Sequence, residues 1–366
     1  MLCSYGQLLI LYSILTFHTT STLSTDLEYK NPQIPRYHVP CHLGKLPGTW
    51  LESAPIGSQY QLLTWPGSNC QIKNYLAEAT QSHEVKATEN AGRDMSMTHN
   101  KTSILFLGDS VDRLMMEDVC ALQSGIVLPR YNSTNLYDSF FYCYAPKAKL
   151  QLGYHSILGV HPTGPYMGAV QSPKTLQRIK TAVKEFGKVF AGPKQQLDAV
   201  VIASNFWDIG RICHPDVAGR DPKLCSGAVL PPWFLAEWMT NFTSVVNKVK
   251  EALGNHVHST KLIYHTELKP RVMNYTSGEH SSSKGKLGRS QYVAQLNAAG
   301  RITANVLGMH EADFAVIAEG FTREQSLRDC HHPTEKLGLE FFNIYLNIIH
   351  QSEQPGSSIS EGQAKN

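Results

Sequence analysis

From residue 103 onward the sequence alternates short apolar runs with longer amphipathic stretches, and no other feature limits the fold as strongly. The runs are SILFLG (103–108), LQLGYHS (150–156), DAVVIAS (198–204), KLIYHTE (261–267) and DFAVIAE (313–319). Runs this short and this continuously apolar suit strands covered on both faces, as in a parallel sheet. Between them, Val111, Leu114, Met115, Val119 and Leu122 recur at helical spacing, as do Leu235, Trp238, Phe242, Val245, Val249 and Leu253. Residues 289–307 and 334–350 behave likewise, the latter through Leu337, Phe341, Tyr345 and Ile348. The alternation predicts a doubly wound, three-layer α/β/α domain over residues 101–350, on a mainly parallel five-stranded sheet.

The flanking regions read differently. Residues 25–100 are proline-dotted and lack sustained periodicity, which predicts a loop-rich N-terminal extension pinned by cysteine and by Trp50 and Trp65. Residues 274–290 read as a mobile loop and 351–366 as a disordered tail. Residues 8–17, LLILYSILTF, have the length of a signal-peptide core, and small polar residues follow. No Lys or Arg precedes them, so an uncleaved anchor is the alternative to a signal peptide over residues 1–24. The run is short for a bilayer, and no stable membrane span is expected after cleavage. The expected location is the secretory pathway, extracellular or in the Golgi lumen.

Glycosylation sequons at Asn100, Asn132, Asn241 and Asn274 agree with such a compartment. Of eight cysteines, Cys3 would leave with the signal, and the odd number remaining leaves one free or paired between chains. Local loop closure suggests Cys41–Cys70 and Cys213–Cys225. Cys213-His214 with Cys225 lacks a second paired ligand motif, so no metal is expected. A net charge of +3 without a Lys/Arg stripe argues against a nucleic-acid partner.

One segment carries chemistry. In ILFLGDSVDRLMMEDVC (104–120) a buried strand stops at Gly-Asp-Ser and a helix begins. Ser110 is therefore either a helix cap or a nucleophile at the carboxyl edge of the sheet, where open α/β folds bind ligands. Asp109 would brace the turn. A serine nucleophile needs a base. The candidate lies in LRDCHHPTEKLGLEFF (327–342), where Asp329 and His332 are spaced for a carboxylate to orient an imidazole, with His331 as second choice.

Together, FLGDSVDRLMMEDVCALQSG and RDCHHPT resemble the GDS and DxxH signatures of the PC-esterase group in the Ser-Gly-Asn-His hydrolase superfamily, which includes the plant trichome-birefringence-like proteins. CHLGKLPGTW (41–50) is similar to the Cys…Gly-x-Trp region of that group. The resemblance implies Ser110 as nucleophile, Asp329 as orienting acid and His332 as base, with support from Asp109 and Arg113. It also implies an oxyanion hole from the Ser110 N–H, Asn205 in VVIASNFWDIGR (200–211) and a glycine. Gly153, Gly159 and Gly164 are the candidates for that glycine, with Gly164 preferred. Two departures stand out: Asp112 occupies a position where plant members commonly carry Asn, and PTEK follows the second motif in place of an aromatic and a cysteine. The implied activity is O-acetyl transfer to a polysaccharide or glycoconjugate through an acyl-serine. It would need no cofactor beyond an acyl donor such as an acetyl ester. The alternatives are a secreted carbohydrate or lipid esterase and a non-catalytic carbohydrate-binding protein that uses aromatics such as Trp207, Trp233 and Tyr166.

Overall fold

The structure, a computed structural model, describes residues 44–45, 48–51, 53–62, 70–77, 101–128, 139–146, 148–163, 174–190, 196–203, 205–213, 229–268, 290–321, 326–329 and 331–350. Residues from Cys41 onward form one compact unit. Its centre is a seven-stranded sheet. The central strand is β3 (Thr102–Gly108), flanked by β6 (Leu150–Ser156) on one side and β7 (Ala199–Ile202) on the other. β8 (Lys261–His265) and β9 (His310–Ala312) continue beyond β7. These five strands are parallel. Beyond β6, β5 (Phe140–Ala145) and β4 (Ile126–Val127) extend the sheet antiparallel.

Alternate residues of β3 feed two cores. Leu105 and Leu107 face helices α2 (Thr175–Val189), α3 (Asn205–Cys213), α4 (Pro232–Leu253) and α5 (Ser290–Val306). Ile104 and Phe106 face α1 (Ser110–Leu122), the short α6 (Phe314–Ile317) and α7 (Glu335–His350). All seven β3 residues are buried, as a strand covered on both faces requires. The chain leaves β3, fills the positions on one side of it, then crosses to β7 on the other. The carboxyl end of β3 is therefore the topological switch point, where a crevice opens between diverging connections.

Three expectations change. The sheet has seven strands rather than five, because the antiparallel β4 and β5 extend the five parallel ones. The run at 313–319 is not a strand: β9 ends at Ala312, paired with His265, and a helical turn follows. Asp313 causes the change. Its side chain caps Val316 N, and its own N–H leaves the sheet to donate to Gly44 O. Phe314 and Ile317 are then buried at helical spacing. The disulfide seen is Cys120–Cys143, joining the last turns of α1 to β5. Neither cysteine was among the expected pairs, because β5 was not recognised as a strand and nothing then placed Cys143 beside α1. Cys70 is also disulfide-bonded. Its partner lies outside the described side chains, as do Cys41, Cys225 and the side chain of Cys213. Trp65, Asn100, Asn132, Asn274 and the segments 1–24, 274–289 and 351–366 are likewise outside the described residues. Asn241 falls within α4.

A hairpin of β1 (Gly48–Trp50) and β2 (Tyr60–Leu62) packs beside α6 and α7. Trp50 donates its indole N–H to Ile317 O at 2.9 Å and meets Phe321 edge-on at 3.8 Å. Side chains of α7 take over the backbone groups that this irregular segment cannot pair internally. Glu340 accepts from the N–H groups of Gly57, Gln59 and Tyr60. Asn343 accepts from Tyr75 N and donates to Gly57 O and Lys73 O. Replacing Asn343 with Ala removes this partner from Tyr75 N and Gly57 O, whereas Lys73 O keeps the Asn347 amide as donor; each buried group left unsatisfied costs about 1–3 kcal/mol. Urea unfolding of Asn343→Ala should therefore show a loss of about 2 kcal/mol or more with an unchanged slope.

Candidate active site

Asp109, not Ser110, caps α1: its carboxylate accepts from Val111 N at 2.9 Å. Ser110 is the first helical residue, partly exposed at the end of β3. Its hydroxyl is thereby free of the capping role. The position follows from the sequence: the apolar strand must stop where the sheet ends, and Asp-Ser supplies the cap and the first turn. Gly108 is required there because a Cβ would fall 1.7 Å from Asp112 Oδ2.

The His332 turn comes from the other end of the chain. Leu327 and Pro333 form an isolated bridge, Arg328 N donates to His332 O at 2.9 Å, and Thr334 N donates to Ser326 O at 2.9 Å. Arg328 closes the turn further by donating Nε–H to Pro333 O and pairing its guanidinium with Asp118 of α1. The base candidate is thus tied to the helix that begins with Ser110.

The two segments meet. His332 Nδ1 lies 2.6 Å from Asp329 Oδ2, and His332 Nε2 lies 2.7 Å from Ser110 Oγ. A carboxylate only accepts, so Nδ1 carries the proton and the Nε2 lone pair faces the hydroxyl. The other Asp329 oxygen accepts the N–H groups of His331 and His332, each at 2.9 Å. Burial raises the Asp329 pKa, but those two backbone N–H groups and the His332 ring more than offset it and hold the carboxyl down to about 2. The second-choice histidine, His331, does not reach the hydroxyl in this arrangement. Its ring packs at a tilt against His332, with centroids 3.9 Å apart, and against Phe206 of α3 at 5.1 Å. Burial, then the neighbouring His332, pushes its pKa down to about 4, so His331 is neutral near pH 7.

The remaining candidates scatter. Arg113 pairs with Glu117 one turn along α1 at 2.7 Å. Asn205 opens α3, which begins just after β7, and its side chain lies outside the described ones. Gly164 and Tyr166 also lie outside the described residues. Gly153 sits inside β6, with Phe186 packed against its Cα. Gly159 follows β6 in a left-handed turn (φ +95°), on a loop whose Ile157 N–H donates to Gly108 O at 2.9 Å. Asp208 of α3 anchors that loop through Val160 N and also accepts the Trp238 indole N–H. Trp233 is exposed and Trp207 half-buried.

Among the described residues, Asp329, His331 and His332 are the one trio whose ligating atoms fall within 4.8 Å of one another. Both Asp329 oxygens and both His332 nitrogens already face hydrogen-bonding partners, so the trio fits a proton-relay geometry better than a cation cage. Sequence reasoning missed His265, which pairs with Asp112 beneath Ser110. The signal was present in KLIYHTE, where an apolar strand ends in three polar residues.

No family model matches this sequence, and no curated protein does. Solved structures similar to it include a carbohydrate acetylesterase from Sinorhizobium meliloti (12% identity, 68% of this chain and 98% of that one, TM-score 0.37). An aryl esterase from M. smegmatis (11%, 68% and 99%, 0.39) and an extracellular lipase from Streptomyces rimosus (13%, 68% and 99%, 0.34) also match. Likeness at this level decides neither family nor substrate; the functional reading rests on the geometry.

Asp329 has a folded pKa of about 2, below its ordinary 3.8. The stability its ionisation contributes is therefore present above about pH 4 and lost as the pH falls towards 2. Thermal unfolding of wild type and Asp329→Asn should differ most above about pH 5 and converge in strong acid.

Proposed function

We propose that this chain is a serine-dependent acyl-transfer enzyme. The observation that carries the reading is the continuous hydrogen-bonded chain Asp329–His332–Ser110, with the imidazole lone pair 2.7 Å from a partly exposed hydroxyl. His332 Nε2 removes the Ser110 proton as Oγ attacks an ester carbonyl, and the Asp329 carboxylate stabilises the imidazolium that forms. The tetrahedral oxyanion collapses, and His332 returns the proton to the departing alcohol. Water or an acceptor hydroxyl then attacks the acyl-serine, with His332 again acting as base. The Ser110 N–H, Asn205 and a glycine are assigned to the oxyanion. Gly164 is the sequence's choice, and Gly159 is a described candidate two residues after Ile157, whose N–H donates to Gly108 O. One such donor is worth about 3–4 kcal/mol.

The acceptor is assigned from the resemblance: a glycan hydroxyl in the secretory pathway, taking an acetyl group from an ester donor. Water as acceptor gives the esterase reading. A fluorophosphonate should label Ser110 in the wild type and not in Ser110→Ala; an unlabelled, folded wild type would leave only the binding-protein reading. Asp329→Asn should lower the acyl-transfer rate by roughly 10³–10⁴ through the wrong imidazole tautomer. Supplying an acetyl ester with and without an oligosaccharide separates the acceptors. Acetylated oligosaccharide as the main product supports transfer, and free acetate at the same rate in both reactions supports hydrolysis.

A further inference from the structure

A second carboxylate–imidazole pair lies beneath the first. β8 ends in His265, followed by Thr266 and Glu267, all at most 1% exposed. In the sheet β8 is separated from β3 by β7. His265 nevertheless reaches the nucleophile's helix, with Nε2 3.0 Å from Asp112 Oδ1, and Asp112 is itself only 1% exposed. On the far side of the ring, Nδ1 lies 3.1 Å from Thr266 O.

Proton counting follows from these contacts. A carbonyl oxygen only accepts, so Nδ1 carries a proton. The Nε2–Oδ1 contact requires another. The pair therefore holds two protons, and its opposite-charge form is imidazolium against carboxylate. Phe314 stacks on the ring at 4.7 Å, and Phe341 stacks on Phe314 at 3.7 Å, so the imidazole is walled in. The second Asp112 oxygen occupies the space that a Cβ on Gly108 would need. Gly108 and Asp112 bracket Ser110, one on each side along the chain.

We propose that His265, as an imidazolium paired with Asp112, is a positioning residue that fixes the β3–α1 turn and so aims Ser110 Oγ at His332. This rests on the acyl-transfer reading above. Removal of the proton breaks one of the two ring hydrogen bonds and leaves Asp112 as an uncompensated buried carboxylate.

Other titratable groups face the pair. Asp109 faces it from the turn and Glu267 from the end of β8. Tyr154 of β6 and Tyr345 of α7 sense the same carboxylates, and both hydroxyls are pushed up chiefly by burial. Asp313, which caps α6, takes the Thr266 hydroxyl and is neutralised by Arg301 of α5. Burial lowers the His265 pKa, but Asp112, and then Glu267 and Thr266 O, outweigh it and bring the group up to about 9. That value lies above the ordinary 6.5. The ordering it supplies is therefore complete below the usual histidine range and lost as pH rises through about 9.

The test is the rate of Ser110 phosphonylation by a fluorophosphonate from about pH 6 to 10.5, bracketing the ordinary and the shifted histidine values. Wild type, Asp112→Asn, His265→Gln and the double variant are compared, each with its melting temperature. The wild-type rate should fall above about pH 9. Asp112→Asn should lack the alkaline fall, because an amide can donate to a neutral His265. His265→Gln strands the Asp112 carboxylate and should be slower by on the order of 10- to 100-fold. The double variant, amide against amide, should recover most of that loss. Four identical normalised profiles, or rate losses that track melting temperature alone, would overturn the proposal while leaving the acyl-transfer reading intact. A wild type unlabelled at Ser110 would instead sink that reading, and this proposal with it.

Discussion

A 2.7 Å hydrogen bond between side chains 222 positions apart is the contact that the rest of this structure serves. Such a bond cannot be held by local structure. It needs two rigid supports whose spacing is set by something stiffer than a loop. Here the supports are the carboxyl end of β3 and the bridged turn before α7. Both rest on one core: α1 and α7 pack on the same face of the sheet through Met115, Val119, Leu337 and Phe341. Close packing of those helices fixes the relative height of their first turns. The Arg328–Asp118 pair then fixes the turn against α1 directly.

Several buried polar groups on the two faces of the sheet lie where a backbone would otherwise go unpaired or a turn would otherwise slip. Glu340 and Asn343 satisfy an N-terminal segment too irregular to pair with itself. Asp208 holds the loop after β6. Asp112 and His265 sit under the β3–α1 turn. Burying such groups is costly unless their partners are present, so each also specifies the conformation it serves. Asp112 and Glu267 concentrate negative charge around His265.

The neutral His331 extends the same logic to the rim of the site. It stands between His332 and Phe206, and so links the turn that carries the base to the start of α3. Its burial keeps a second positive charge away from the imidazole that must take a proton from Ser110. Two adjacent histidines in one turn thus differ in their surroundings, and the partner each ring meets sets that difference.

Much of this arrangement could be read from the chain alone. The apolar runs at 103–108, 150–156, 198–204 and 261–267 contain parallel strands because a strand buried on both faces has to be apolar on both. Gly-Asp-Ser after the first run marks the strand-to-helix turn, and the Asp329–His332 spacing is a local property of one tight turn. Other features depended on distant partners. Residues 313–319 have a strand's composition, yet Asp313 caps a helix there once its N–H is drawn to Gly44. Cys120 and Cys143 pair because β5 folds back antiparallel on β6, which no local pattern announced. The sequence determined most element types and the reactive side chains, since periodicity and turn chemistry are short-range. Only the tertiary structure decided which serine, histidine and carboxylate share protons, because those distances are set by how the sheet orders its strands and how two helices pack on one face of it.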